Sequence, residues 1–364
     1  MESIEGYFNS VKADVMAKAK INTENFGANI QIHGSQFPDL KLCKIAIIGI
    51  NEEANEARSE LYPLMWKFEN TQVADLGNII KPKNETERRY IVEEVVANLR
   101  RHGIVSILIG EHPADMVGVY NGLASAKQAM ELVQICPQPD MDETSPIRQI
   151  LLQKPNYLFN IEFMASQTYL LSPKTEKTLE QMYLGLNPLG SLRKNIGDTE
   201  PIFRSASMVQ FDLLSIKASE LPHTQGLLPN GLFNHEAAIL SRYAGISNNT
   251  HCILFTHSKA MLSGLDGQKQ LAQMIWYFIE GYASRFNDEP ETNNSEFIVY
   301  RNQLASSKHE LVFYKSRKSN RWWMEIPHPY EKTSYFVACN YKDYEMVLKD
   351  EMPDRWWKAF QRLM

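Results

Sequence analysis

Among the side chains able to hold a cation or move a proton, four stand at or just after the end of an apolar, strand-like run. His112 comes after residues 104–109 and the turn Gly110-Glu111. Asp140 ends the stretch Cys136-Pro137-Gln138-Pro139-Asp140, just past the run 132–136. Asp212 lies at the end of the run 209–213, and His257 follows the run 252–255 and Thr256. Open α/β sheets bind ligands at the carboxyl ends of their strands, so these four are expected to meet at one edge. One imidazole with two carboxylates is an N/O donor set suited to manganese, iron or zinc. The structural alternative is that His112 caps a helix and the aspartates cap or make turns. Cys136 adds a thiol, but it sits in an apolar strand with no histidine near it in sequence, which argues against a nucleophile.

The elements that must position these residues alternate between strand and helix. Residues 44–50 form an unbroken apolar run, the pattern of a strand buried on both faces of a parallel sheet. Residues 73–77 give a shorter strand. Asn84, with Glu87 three residues on, predicts a helix start; Ile91, Val95, Val96 and Leu99 share its apolar stripe, and Gly103 marks its end. Further strands are expected at 132–136, 157–159, 209–213 and 252–255. Helices are expected near 235–243, stopped by Gly245, and near 268–282. Repeated strand–helix units predict a mostly parallel sheet with helices on both sides, a three-layer α/β/α domain. Residues 287–295, acidic and Asn-rich with Pro290, read as an exposed loop. Beyond it, runs at 297–304, 310–315 and 322–326 predict strands, the last two joined as a hairpin. The resulting division is an N-terminal extension over 1–43, the α/β domain over 44–285, and a C-terminal aromatic-rich hairpin and helix extension over 286–364. Trp322-Trp323 and Trp356-Trp357 are expected to bury that extension against the main domain or a subunit partner.

Several short motifs, in order, resemble those of the arginase, agmatinase and formiminoglutamase superfamily, most closely the formiminoglutamases. Gly110-Glu111-His112 is similar to that family's Gly-Gly-Asp-His, and Cys136-Pro137-Gln138-Pro139-Asp140 stands where it has Asp-Ala-His-x-Asp. The nine residues 210–218 align with Ser-x-Asp-x-Asp-x-x-Asp-Pro. Asp75-Leu76-Gly77-Asn78, residues 144–150 and Pro229-Asn230-Gly231-Leu232 match further family stretches, so the likeness spans about 44–283. The resemblance implies an arginase-like fold and hydrolysis of the C–N bond of a linear amidine by hydroxide bridging two manganese ions, held by two His and four Asp.

The departures bear on that chemistry. Cys136 replaces a bridging Asp, Gln138 a His and Leu214 an Asp, and an alkyl group cannot ligate a hard cation. His112, Asp140 and Asp212 remain, and on the family pattern they serve one ion. The family's substrate-contacting Glu falls near Thr256 or His257, so His257 is the one candidate catalytic residue. The resemblance thus implies a degenerate two-metal centre with at most one manganese or zinc ion and no other cofactor. Since two cations are what activate the water, ordinary ureohydrolase activity is not expected. Three readings stay open: a binding or regulatory protein, a hydrolase of formimidoylglutamase type using one metal, or a scaffold acting through its aromatic C-terminal part.

Composition excludes other classes. The 364 residues are 44% hydrophobic and 22% charged, with a net charge of −5, and no basic block suits nucleic acid. No uninterrupted apolar run reaches the ~18 residues of a membrane span, and MESIEGYFNS has no signal-peptide character. Cys43, Cys136, Cys252 and Cys339 are widely spaced and form no C-x-x-C pair, which fits reduced thiols and a cytoplasmic protein. The expected partner is a small amino-acid-derived ligand, with neither nucleic acid nor membrane, and homo-oligomers stay open.

Overall fold

A computed structural model describes residues 4–290, 294–305, 310–330 and 333–364. Its main sheet is built from strands β1 (Phe8–Asn9), β2 (Gln31–Ile32), β3 (Ile45–Gly49), β4 (Val73–Ile79), β5 (Val105–Ile109), β6 (Met130–Ile135), β7 (Leu158–Ser166), β8 (Gly185–Pro188), β9 (Met208–Asp212) and β10 (Cys252–Thr256). The strand order is β1-β4-β3-β5-β10-β9-β6-β7-β8, with β2 also on β4. Every pairing is parallel except β1 with β4. The central strands β3, β4, β5 and β10 are buried at every position, as strands covered on both faces must be.

The helices are α1 (Ala13–Ala19), α2 (Ala54–Leu61), α3 (Glu85–Arg101), α4 (Asp115–Ala124), α5 (Pro146–Leu151), α6 (Pro173–Gln181), α7 (Leu189–Lys194), α8 (Glu200–Ser205), α9 (Asn234–Ile246), α10 (Ser258–Leu262) and α11 (Leu265–Ala283). Their apolar stripes bury two cores, one on each face of the sheet. Ile107, Val133, Val209 and Ile253 point to one, and Leu108, Leu132, Met208 and Leu254 to the other. The α/β/α layering expected from the sequence is therefore present.

Details depart from the linear reading where packing intervenes. Helix α9 ends at Ile246, one residue past the expected stop at Gly245. A Cβ at Gly245 would lie 2.0 Å from the Phe278 carbonyl oxygen, so this glycine lets α9 and α11 cross closely. Asn84 caps α3, its Oδ1 accepting from the Glu87 amide at 2.9 Å. Residues 4–43 are woven into the main domain. They supply β1 and β2, and Val11, Val15, Ala19 and Phe26 enter one core. Asp75 is buried in β4 and bonds Arg58 Nε and the Tyr62 hydroxyl at 2.8 and 2.9 Å. Gly77 follows at φ +82, where a Cβ would lie 2.1 Å from the Asn9 carbonyl oxygen.

The C-terminal part holds an antiparallel meander of four strands, β11 (Phe297–Gln303), β12 (Glu310–Ser316), β13 (Trp322–Pro327) and β14 (Ser334–Cys339), with α12 (Tyr341–Leu348) and α13 (Asp354–Leu363). The predicted hairpin is its middle; β14 was not foreseen. The helices pack on one face, where Phe313, Met324, Ile326, Trp356 and Phe360 form a core. Trp322 and Trp323 are 7% and 5% exposed, as expected, and Trp323 faces the main domain, with Arg204 4.3 Å above its ring. Of the loop expected at 287–295, residues 291–293 lie outside the described residues. Asp288 is buried rather than exposed, because Ser319 and Arg321 engage it across the junction. Among the described residues no helix is long and apolar enough to cross a membrane.

Candidate site at the carboxyl edge of the sheet

Strands β5, β10, β9 and β6 are consecutive in the sheet, so their carboxyl ends lie side by side. The register pairs Phe255 with Ile109, Thr256 with Asp212, and Phe211 with Ile135. Gly110, Thr256, Asp212 and Cys136 therefore form the rim. The turns after β5 and β10 are stitched together. The Gly110 amide donates to the Phe255 carbonyl at 2.9 Å, the His257 amide to the Glu111 carbonyl at 3.0 Å, and the Lys259 amide to the Glu111 carboxylate at 2.7 Å. His257 takes a left-handed backbone there, φ 56 and ψ 37, which costs of order 1–3 kcal/mol in a residue other than glycine.

That turn brings His257 onto Asp212. The imidazole Nδ1 is 2.7 Å from Asp212 Oδ1, with side chains 29% and 13% exposed. The same oxygen accepts from the Leu214 amide at 2.9 Å, capping the short turn that follows β9. Burial pulls the His257 pKa down, but the hydrogen bond and charge of Asp212, helped by Glu111, more than offset it, and the net shift is upward. This pair is a hydrogen-bonded Asp–His unit.

The other expected residues are placed differently. His112 is exposed in the turn between β5 and α4, and its carbonyl accepts from the Asp115 amide at 3.0 Å. Its charge acts on Asp115, a buried carboxylate held by Arg88 Nε at 2.7 Å. Burial raises the Asp115 pKa, against the pull of Arg88. Asp140 is exposed and closes a turn by accepting from the Asp142 amide at 3.0 Å. On the rim, Cys136 is buried. Burial, and then the charge of Asp212, pushes its thiol well above the ordinary range, so it is a poor nucleophile.

Among the described residues, no group of three or more His, Cys, Asp or Glu is placed to hold a metal ion. His112, Asp140 and Asp212, expected to share an ion, make separate local contacts among the described residues. Asp212 is committed to an imidazole and an amide, while His112 and Asp140 are exposed and tied into their own turns. Gln138 is exposed and Leu214 half-buried.

Lys217 stands where the aligned family motif has its last Asp, and its Nζ is 5.0 Å from the Phe233 ring centroid. Arg193 lies 4.6 Å from that ring and 3.4 Å from Glu236. Gly231 allows the approach, since a Cβ there would sit 2.6 Å from the Ser215 carbonyl oxygen. The sequence reading missed Glu111, Asp115 and Lys217 as contributors. Asp115 had a signal, an acid in the first turn of the helix three residues after His112.

No protein-family model and no curated protein sequence matches the chain. Solved structures do. The formiminoglutamase of Trypanosoma cruzi with manganese superposes at a TM-score of 0.60 and 17% identity, covering 67% of this chain and 95% of that one. The formimidoylglutamase of Bacillus subtilis gives 0.58 and 15%, covering 69% and 96%. The agmatine ureohydrolase of Thermoplasma volcanium gives 0.55 and 15%, covering 78% and 99%. At these identities the likeness is one of fold, and the fold is that of the arginase superfamily.

Proposed function

We propose that this chain, on an arginase-superfamily fold, lacks the two-metal hydrolytic centre and acts as a binding or regulatory protein for a small amino-acid-derived ligand. The observation that carries this is the 2.7 Å contact of Asp212 with His257. Asp212 corresponds to a metal ligand in the aligned motif, and its charge is met here by an imidazole that favours the protonated form. His257 and Lys217 would supply cationic donors of the protein's own at the edge where the aligned motifs carry metal ligands. Such donors orient an anionic group but do not generate hydroxide, the role of paired metal ions.

The test is metal content and turnover together. Purified protein dialysed against manganese is expected to retain less than one ion per chain. It is also expected to show no hydrolysis of formiminoglutamate, agmatine or arginine. One ion per chain, abolished in His112→Ala, would establish a single-metal site and favour the hydrolase alternative. Two ions per chain, or turnover at about 1–1000 per second, would overturn the proposal.

A further inference from the structure

The opposite, amino-terminal edge of the sheet holds a cavity of about 200 Å³ between the main domain and the C-terminal sheet. Glu131, near the start of β6, and Ser207, just before β9, form its floor; Trp323 of β13 and Tyr335, Phe336 and Ala338 of β14 close over it. A junction between two packed sheets normally fills with apolar side chains. This one presents one cation, Arg204, and two carboxylates, Glu131 and Glu289.

Arg204 lines the cavity and is 6% exposed. Its Nη1 donates to the Trp322 carbonyl at 3.1 Å; its Nη2 donates to the Cys339 carbonyl at 3.0 Å and to Glu200 at 3.2 Å. Its buried Nε–H has no partner among the described residues. An unsatisfied donor on a buried guanidinium is costly, and an acceptor in the cavity removes that cost. On the floor, Ser207 Oγ accepts from the Glu131 amide at 3.3 Å, which leaves its hydroxyl hydrogen free to donate. The Glu131 carboxylate is held by the Tyr335 hydroxyl at 2.7 Å and by Asn160 Nδ2 at 3.2 Å. A second cavity shares Ala129, Ser207 and Asn249 with the first, so the space continues toward Arg100 and His251 and has room for a side chain.

We propose that this junction is a binding site for a small zwitterion of the free α-amino-acid type, its carboxylate taken by Arg204 Nε and the Ser207 hydroxyl and its ammonium by Glu131. The volume suits a ligand far smaller than the drug-sized molecules of 300–1,000 Å³ pockets. Arg204 grips the β13 and β14 backbone carbonyls, so occupancy would also brace the C-terminal sheet against the main domain. The site is separate from the Asp212–His257 edge and does not depend on the function proposed there.

The experiment uses the full chain, titrated calorimetrically with each free α-amino acid up to roughly 10 mM, tenfold above a Kd of about 1 mM. Ethanolamine and acetate serve as single-charge probes. At least one amino acid is expected to bind one per chain, at least tenfold tighter than either probe. Glu131→Gln keeps the shape and the Tyr335 contact and is expected to weaken binding tenfold or more. Ser205→Trp, which fills the cavity, is expected to abolish it, with thermal unfolding checking that each variant is folded. The inference is overturned if no amino acid binds, if acetate binds as well, or if binding survives both variants. Binding lost in His257→Ala but retained in Ser205→Trp would place the ligand at the carboxyl edge, overturning this site and supporting the other.

Discussion

If the Asp212–His257 pair replaces metal-borne charge, its coupling must depend on pH in a set direction. The contact is 2.7 Å and both side chains are partly shielded, 13% and 29% exposed. A hydrogen bond to a charged group contributes about 1.5–3 kcal/mol when buried; the residual exposure reduces this to about 1–2 kcal/mol. The His257 pKa is raised above 6.5 in the folded protein. Its contribution is therefore fully present below pH 6.5 and is lost as pH rises through the folded-state value. A double-mutant cycle with His257→Gln and Asp212→Asn, read by urea unfolding, measures the term. Expected coupling is about 1–2 kcal/mol near pH 6, falling to a few tenths near pH 9. NMR titration of the imidazole should give a midpoint above 6.5. Coupling that ignores pH, or a midpoint at or below that value, would refute the assignment.

Arg58→Ala should destabilise the protein by about 3–5 kcal/mol in urea, because it leaves Asp75 buried without its partner; a loss below about 1 kcal/mol would contradict this. All four cysteines are buried, and burial raises the thiol pKa of Cys43 to about 11 and of Cys252 to about 12. A thiol reagent near pH 8 should leave the native protein unlabelled and modify four groups in urea; rapid labelling of native protein would show an open path to the rim. Trp356 is fully buried, stacks on Phe360 at 5.1 Å and donates to the Glu325 carbonyl at 3.1 Å. Trp356→Ala should cost about 3–5 kcal/mol, seen as early melting of the C-terminal sheet by circular dichroism.

The linear chain determined the architecture because burial on both faces of a parallel sheet forces unbroken apolar runs, as at Ile45 to Gly49 and Cys252 to Thr256. It also carried the rim, since strand-end residues are identified by where the runs stop, and it placed Leu214, Gln138 and Cys136 where the resembled motifs have donors. Tertiary structure decided what the surviving residues do. A left-handed turn at His257 swings its ring onto Asp212, across 45 residues of sequence, while His112 and Asp140 stay in their own turns. Nothing local encodes that choice, because it depends on β9 and β10 being neighbours in register. Gly245 makes the same point. Read alone it is a stop signal, but α11 crosses there, and the space a Cβ would need is filled by another helix's backbone. The buried Asp288 and the cavity around Arg204 lay beyond the sequence for the same reason, since both exist only where the C-terminal sheet meets the domain before it.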